Sequence, residues 1–217
     1  MKLALWRKLA ATYLIPELPG WKADGWVLHG VPHEWFAKAL VVALAPGGSA
    51  FSVNAIVQFL PVPKQAWTAD NSLEAAQGRT RFPSPATVDD AAPVMAEVLA
   101  YVREKAIPFL DASGSVGGRL AYLQERIASV NAARGGDYAW QDVNLDEELC
   151  YAHLLAGDRS TAVHYADWAA RSAQVDPRPW AQAARDRVAR VIAAPDDGLS
   201  LLRSHADATR AALRVPQ

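Results

Sequence analysis

Residues 35–59, WFAKALVVALAPGGSAFSVNAIVQF, decide the fold of this chain. On both sides of the central APGGS the residues alternate with a period of two, which is the spacing of β-strands. The residues PGG at 46–48 predict a hairpin between the two strands. Both faces of the first strand are apolar except at Lys38. We therefore expect a central strand that helices cover on at least one side.

A shorter strand at Trp26–Leu28 precedes this hairpin, and a helix is predicted ahead of it over residues 2–14. Pro61 and Pro63 end the sheet, because proline cannot donate to the hydrogen-bonded ladder. The strands leave no room for a crossover connection, so their pairing is antiparallel. The sequence thus predicts a small antiparallel three-stranded sheet near residues 25–61.

From Val88 onward the apolar residues recur at helical spacing. The fold class is therefore α+β: an N-terminal helix and small sheet, followed by a C-terminal bundle of antiparallel helical hairpins. Three segments are expected, 1–64 (helix and β-meander), 65–87 (irregular connection) and 88–217 (helical subdomain), with the last packed as one unit with the first. The helices are expected near 117–132, 142–156, 159–174, 178–193 and 198–213.

Composition excludes several functional classes. The chain has 217 residues, a formal net charge of −1 and a single cysteine, Cys150. One cysteine excludes an internal disulfide framework and multi-cysteine metal sites, and the balanced charge argues against nucleic acid as a partner. No apolar run reaches the 18 residues of a membrane helix, and no signal peptide is recognised at the N-terminus. We expect a cytoplasmic protein that needs no cofactor, and its oligomeric state stays open.

A first candidate site is the hexapeptide HGVPHE at 29–34. Two imidazoles and a carboxylate, from His29, His33 and Glu34, could ligate a divalent metal if a turn brought them together. The alternative is a polar turn between strands with exposed histidines, and we predict no metal.

A second candidate is the set Asp146, Cys150 and His153, which share one face of the predicted helix. A thiolate beside an imidazole is the core of a cysteine nucleophile, which would make Cys150 and His153 catalytic. The alternative is that Cys150 packs as a small buried apolar residue. We favour the buried alternative and predict no catalytic residue.

A third candidate is an acidic stretch around Trp140. The stretch from Asp137 to Asp158 has six carboxylates and no Lys or Arg. Such a stretch could bind a protein partner with a basic surface. Part of it also fits a helix N-terminus, where acidic side chains stabilise the macrodipole. The residues predicted to bind are Trp140, Asp142, Asp146 and Glu147.

Two parts of the chain resemble known families. Residues 145–177 resemble one tetratricopeptide-type helical hairpin, with small and packing residues at Leu149, Gly157, Ala162 and Ala169. The chain departs from that motif at His153 and Ala166, two positions at which the motif has aromatic residues. Residues 5–65, with PGW at 19–21 and VQFLPVP at 57–63, resemble the uncharacterised bacterial DUF4304 family. That resemblance implies a fold outline and a bacterial source, and it transfers no catalytic residue.

The function predicted from these features is that of a non-catalytic binding or interaction protein, of a regulatory or toxin-neutralising kind. It depends on the lack of catalytic motifs, the helical hairpins, the acidic stretch and the tryptophans at element edges, namely Trp21, Trp67, Trp140 and Trp180. The alternative is a small metal- or thiol-dependent enzyme with its site in a cleft between sheet and helices.

Overall fold

The fold was obtained as a computed structural model, which describes residues 1–31, 34–68, 72–73, 80–134, 142–194 and 197–215. It contains one five-stranded antiparallel sheet with its strands in chain order. The strands are β1 (Lys22–Asp24), β2 (Val27–His29), β3 (Phe36–Leu44), β4 (Ala50–Phe59) and β5 (Phe82–Pro83). The α+β class is as predicted.

The hairpin between β3 and β4 forms where the sequence predicts it. The Ala45 N–H donates to the Ala50 carbonyl over 2.9 Å and closes the turn. Gly47 and Gly48 have φ values of +80° and +70°, in the left-handed region that glycine adopts at little cost. On the other side of β3, His29 pairs with Ala39 and Leu28 pairs with Leu40.

The prediction of three strands is an undercount, because two edge strands lack the pattern of a strand. All three residues of β1 are exposed, so no apolar alternation marks it. Strand β5 has only two residues, one of them Pro83, and it lies in the segment predicted to be irregular. Edge strands this short are recognised by their pairing partners and not by their own residues.

Helices α1 (Leu3–Leu9), α2 (Ala92–Tyr101) and α3 (Ile107–Ser113) accompany the sheet. Aromatic rings form much of the core between them. The ring centroids of Trp6 and Phe51 lie 6.2 Å apart, and Phe82 lies 5.6 Å from Phe51 and 5.8 Å from Tyr101. Trp6 and Phe51 are completely buried.

The remaining helices match the predicted ones to within a few residues. Gly157, at a φ of +80°, ends one helix, and the Asp158 carboxylate caps the next by accepting from the Thr161 N–H. Among the described residues, no helix is long and apolar enough to cross a bilayer. The helices are α4 (Val116–Arg134), α5 (Val143–Leu155), α6 (Arg159–Val175), α7 (Pro179–Ala193) and α8 (Gly198–Ala212).

The chain divides into two compact units. The N-terminal unit comprises residues 1–58, 65–114 and 210–217, and the helical unit comprises 59–64 and 115–209. Helices α2 and α3 therefore belong to the N-terminal unit, and the main segment of the helical unit begins at Ser115. The reason is that α2 and α3 pack with the sheet, as the contact between Phe82 and Tyr101 illustrates.

Candidate functional site

Lys38 is the one charged residue of β3, and it is buried. Its neighbours along the same face of the strand, Phe36 and Leu40, are core residues. Only 9% of the Lys38 side chain is exposed. A long aliphatic stem lets lysine cross apolar surroundings while its ammonium reaches a polar site. The polar site that the Lys38 ammonium reaches lies on α3.

The Lys38 ammonium donates to the Asp111 carboxylate on α3, with 2.7 Å between Nζ and Oδ1. The two partners differ in their environment, because 66% of the Asp111 side chain is exposed. A buried charge needs a partner, since an unpaired one is strongly destabilising. An exposed carboxylate can exchange its partner for water at little cost. The pair thus joins a buried ammonium to a carboxylate that can also be hydrated by solvent.

A cavity of about 310 Å³ opens beside this ion pair. Glu17 stands among its lining groups and accepts a hydrogen bond from Arg103. The other walls are mainly apolar, and they are formed by Leu18, Pro19, Trp21, Val31, Ile107 and Leu110. We call this cavity, with Lys38 and Asp111, the Lys38 pocket.

Two glycines make room for the lysine and the tryptophan. A Cβ atom on Gly114 would lie 2.5 Å from Cε of Lys38, closer than atoms can approach. A Cβ atom on Gly30 would lie 3.1 Å from the ring of Trp21 and 3.3 Å from Cβ of Lys38. Both positions therefore need glycine, or a shift of their neighbours, for the pocket to keep its shape.

Two prolines direct the chain into the walls of the pocket. Proline has no N–H, and its ring clashes with the carbonyl four residues earlier, which distorts a helix. Ahead of Pro16, the Ile15 N–H donates to the Ala10 carbonyl, and ahead of Pro108 the Ile107 N–H donates to that of Val102. Each is a single π-helical turn, a feature that is frequent at functional sites. The segments after these turns supply the walls.

A larger cavity, of about 660 Å³, lies between α1 and residues 85–88. Its charged side chains are Lys2 and Lys8, and both are exposed. Exposed lysines keep their water and hold a ligand only weakly. We therefore place the candidate site at the Lys38 pocket, where the charge is buried and oriented.

Two of the three candidate metal ligands, His29 and Glu34, lie among the described residues. His29 pairs with Ala39, so its side chain lies on the face of the sheet opposite Lys38. The His29 ring is buried 5.7 Å from that of Trp67, and burial lowers its pKa, while Asp24 opposes that shift. His33 lies outside the described residues. Among the residues that are described, Glu34 included, no three His, Cys, Asp or Glu side chains group together as metal ligands.

Cys150 and His153, the candidate nucleophilic pair, both lie on α5. Cys150 is completely buried, and burial, with the charges of Glu147 and Asp146, raises the pKa of its thiol to about 12. His153 contacts Asp158, with 3.4 Å between Nδ1 and Oδ2, and stacks on Tyr165 at 5.5 Å. Complete burial and the raised thiol pKa favour the interpretation of Cys150 as a small packing residue.

The thiolate is the reactive form of cysteine, and the folded protein keeps Cys150 buried and protonated. We therefore expect the thiol to react with a disulfide reagent at pH 8 only as fast as the protein unfolds. Adding urea should make the reaction fast. Cys150→Ala should lower the free energy of unfolding by about 1–2 kcal/mol, and unfolding in urea measures it. Rapid reaction in the folded protein would contradict the buried assignment.

The acidic residues of α5 turn inward. Asp142 caps the helix by accepting from the N–H groups of Asn144 and Leu145, at 3.1 and 3.4 Å. Asp146 and Glu147 are 1% and 0% exposed. A surface for a basic partner therefore cannot include these two carboxylates, which corrects the predicted binding set. Asp137 and Trp140 lie outside the described residues.

Each buried carboxylate of α5 has a partner within the helical unit. Ser172 donates to Asp146 over 2.8 Å. Arg187 donates to both oxygens of Glu147 at 2.8 Å, and the Tyr151 hydroxyl adds a bond of 3.0 Å. Arg119 donates to Glu148. We call these groups the α5 carboxylate network.

No family model, curated protein or solved structure matches the chain. Its function is therefore inferred from the geometry of the Lys38 pocket. Sequence reasoning missed that pocket, although it singled out Lys38 as the polar exception in β3. Trp21 was recognised only as a tryptophan at an element edge. Asp111, 73 residues from Lys38 in the chain, had no signal of its own.

Proposed function

We propose that this chain is a non-catalytic binding protein whose N-terminal unit holds a small polar ligand in the Lys38 pocket. One observation supports the proposal above the others: a buried ammonium faces a cavity and has an exposed carboxylate as its partner. Because Asp111 is exposed, water can take the place of Lys38 at its carboxylate at little cost, and a polar group of an incoming ligand can then pair with the buried ammonium.

Packing alone gives no reason for a lysine at this position. Methionine would fill the space of the stem without burying a charge, and replacing a buried ion pair by apolar residues is often neutral or stabilising. The volume of about 310 Å³ lies at the lower end of the range for ligand sites, about 300–1,000 Å³. A small ligand therefore suits the pocket.

Thermal unfolding with a library of small carboxylic acids, amines and amino acids tests the proposal. A ligand that binds only the folded state raises its stability, and each kcal/mol shifts the melting temperature by about 2–4 °C for a chain of this size. We expect at least one compound to raise the melting temperature of the wild-type protein and to leave that of Lys38→Met unchanged.

Lys105→Met is the matched control, because Lys105 is exposed and lies outside the pocket lining. It should respond to the same compounds as the wild type does. Equal responses in Lys38→Met and the wild type, or no response to any compound, would reject the Lys38 pocket as the binding site.

We propose, second, that the helical unit binds a protein partner in a regulatory or toxin-neutralising role. Val175 and Trp180, 56% and 38% exposed, flank the turn between α6 and α7. The Arg178 guanidinium lies 4.6 Å from the centre of the Trp180 ring and pairs with Asp176. Tryptophan and arginine are enriched among the residues that dominate binding energy at interfaces.

A comparison of two variants tests this second proposal. Partner capture from cells of the native host should fall with Trp180→Ala and persist with Leu199→Ala, since Leu199 is also an exposed apolar residue but lies on α8. Capture that is the same for both variants would remove the Trp180 surface from the proposal.

A further inference from the structure

The Lys38 pocket presents two opposite charges side by side, and this arrangement specifies the charge of its ligand. Nζ of Lys38 and Oδ1 of Asp111 are 2.7 Å apart at one wall of the cavity. The other carboxylate of the lining, Glu17, is neutralised by its ion pair with Arg103. The charges at the pocket thus sum to zero before a ligand enters.

A ligand of zero net charge keeps this balance. A monoanion on Lys38 would bring a second negative charge beside the Asp111 carboxylate, and like charges repel. A monocation on Asp111 would leave the buried Lys38 ammonium uncompensated. Leaving a buried charge without its partner is costly. A zwitterion instead offers a carboxylate to the ammonium and an ammonium to the carboxylate.

We propose that the Lys38 pocket binds a free α-amino acid with an apolar side chain, an inference that rests on the proposed function. The two charged groups of an α-amino acid are attached to the same carbon, so they can meet two protein charges that are themselves adjacent. Its carboxylate pairs with Lys38 and its ammonium with Asp111. The side chain lies against the apolar walls.

The walls fit such a side chain. Leu18 and Leu110 are buried, and Trp21 presents an aromatic surface opposite Gly30, where the lack of a Cβ atom leaves space for the ring. Burial of an apolar side chain against these residues contributes about 25 cal/mol per Å². The charges orient the ligand and the walls select for an apolar side chain.

Calorimetric titration with leucine, isoleucine, methionine, phenylalanine and tryptophan tests the inference. At least one should bind, and its N-acetyl and amide derivatives, which each lack one of the two charges, should bind at least about tenfold more weakly. Lys38→Met and Asp111→Asn should each weaken binding by a similar factor. If either variant fails to fold, the comparison of the amino acid with its two derivatives on the wild-type protein still tests the inference.

Glu97→Gln is the control, since Glu97 is exposed on α2 and does not line the pocket. It should bind as the wild type does. If the N-acetyl or the amide derivative binds as tightly as the amino acid, or if none of the five binds, the zwitterion inference is wrong. If a singly charged compound binds and its binding requires Lys38, the zwitterion inference alone is rejected, and the proposed small-ligand site is supported.

Discussion

Arg187→Ala is expected to lower the free energy of unfolding by about 3–5 kcal/mol, because it leaves a buried carboxylate without its countercharge. Glu147 is completely buried and binds Arg187 through both of its oxygens. The Tyr151 hydroxyl remains as a donor, but one neutral hydrogen bond does not replace a guanidinium. Unfolding in urea at pH 7, followed by circular dichroism, measures the loss.

Arg185→Ala is the matched control on the same helix. Arg185 is 39% exposed and pairs with Asp186 at the surface, so its removal should change the free energy of unfolding by less than about 0.5–1 kcal/mol. The double variant Arg187→Met with Glu147→Gln should recover part of the loss. A cost below about 1 kcal/mol for Arg187→Ala would mean that Glu147 does not depend on this ion pair.

Asp146→Asn is expected to change the free energy of unfolding by an amount similar to that of Arg187→Ala, and this change depends on pH. Burial raises the pKa of the Asp146 carboxyl from 3.8 to about 7; the Ser172 hydroxyl opposes this shift and Asp142 adds to it. The folded protein therefore favours the protonated form. The stability that this provides is fully present below about pH 4 and is lost as the pH rises through 7, a span of about 4 kcal/mol.

Asparagine cannot ionise, so the variant should lack this dependence. The free energy of unfolding of Asp146→Asn, relative to the wild type, should rise by about 2–3 kcal/mol between pH 5 and pH 8.5. Urea unfolding of both proteins at the two pH values measures it. In Ser172→Ala, the loss of stability with rising pH should extend to higher pH than in the wild type, because the Ser172 hydroxyl lowers the pKa of the Asp146 carboxyl. A difference that does not vary with pH would contradict the assignment.

Regular elements could be predicted from the sequence because their signals are local. The hairpin depends on residues 46–48, and each helix of the helical unit has its own apolar spacing and terminating residues. Strands β1 and β5 could not be found in this way, because β1 is fully exposed and β5 contains Pro83. The division of the chain after Gly114 depends on packing, which composition does not report.

The chemistry of the sites depends on partners that are distant in the chain. Asp146 and Glu147 belong to a stretch without Lys or Arg, and that composition predicts an acidic surface. Their partners Ser172 and Arg187 lie 26 and 40 residues further along the chain, on α6 and α7. Helical periodicity assigned these residues to helices but could not pair them, because the facing sides of two helices are set by tertiary packing.

The discontinuity of the N-terminal unit has a consequence during translation. Leu213 and Val215 are buried and belong to that unit, and Arg210 donates to the carbonyl of Glu34 over 3.1 Å. Ribosomes add about 5–20 residues per second, so this segment emerges roughly 5–20 s after Gly114. During that interval the helical unit is synthesised while its neighbour lacks these buried side chains. A nascent chain released before Arg210 would therefore leave the N-terminal unit unfinished, with apolar surface open to chaperones and proteases.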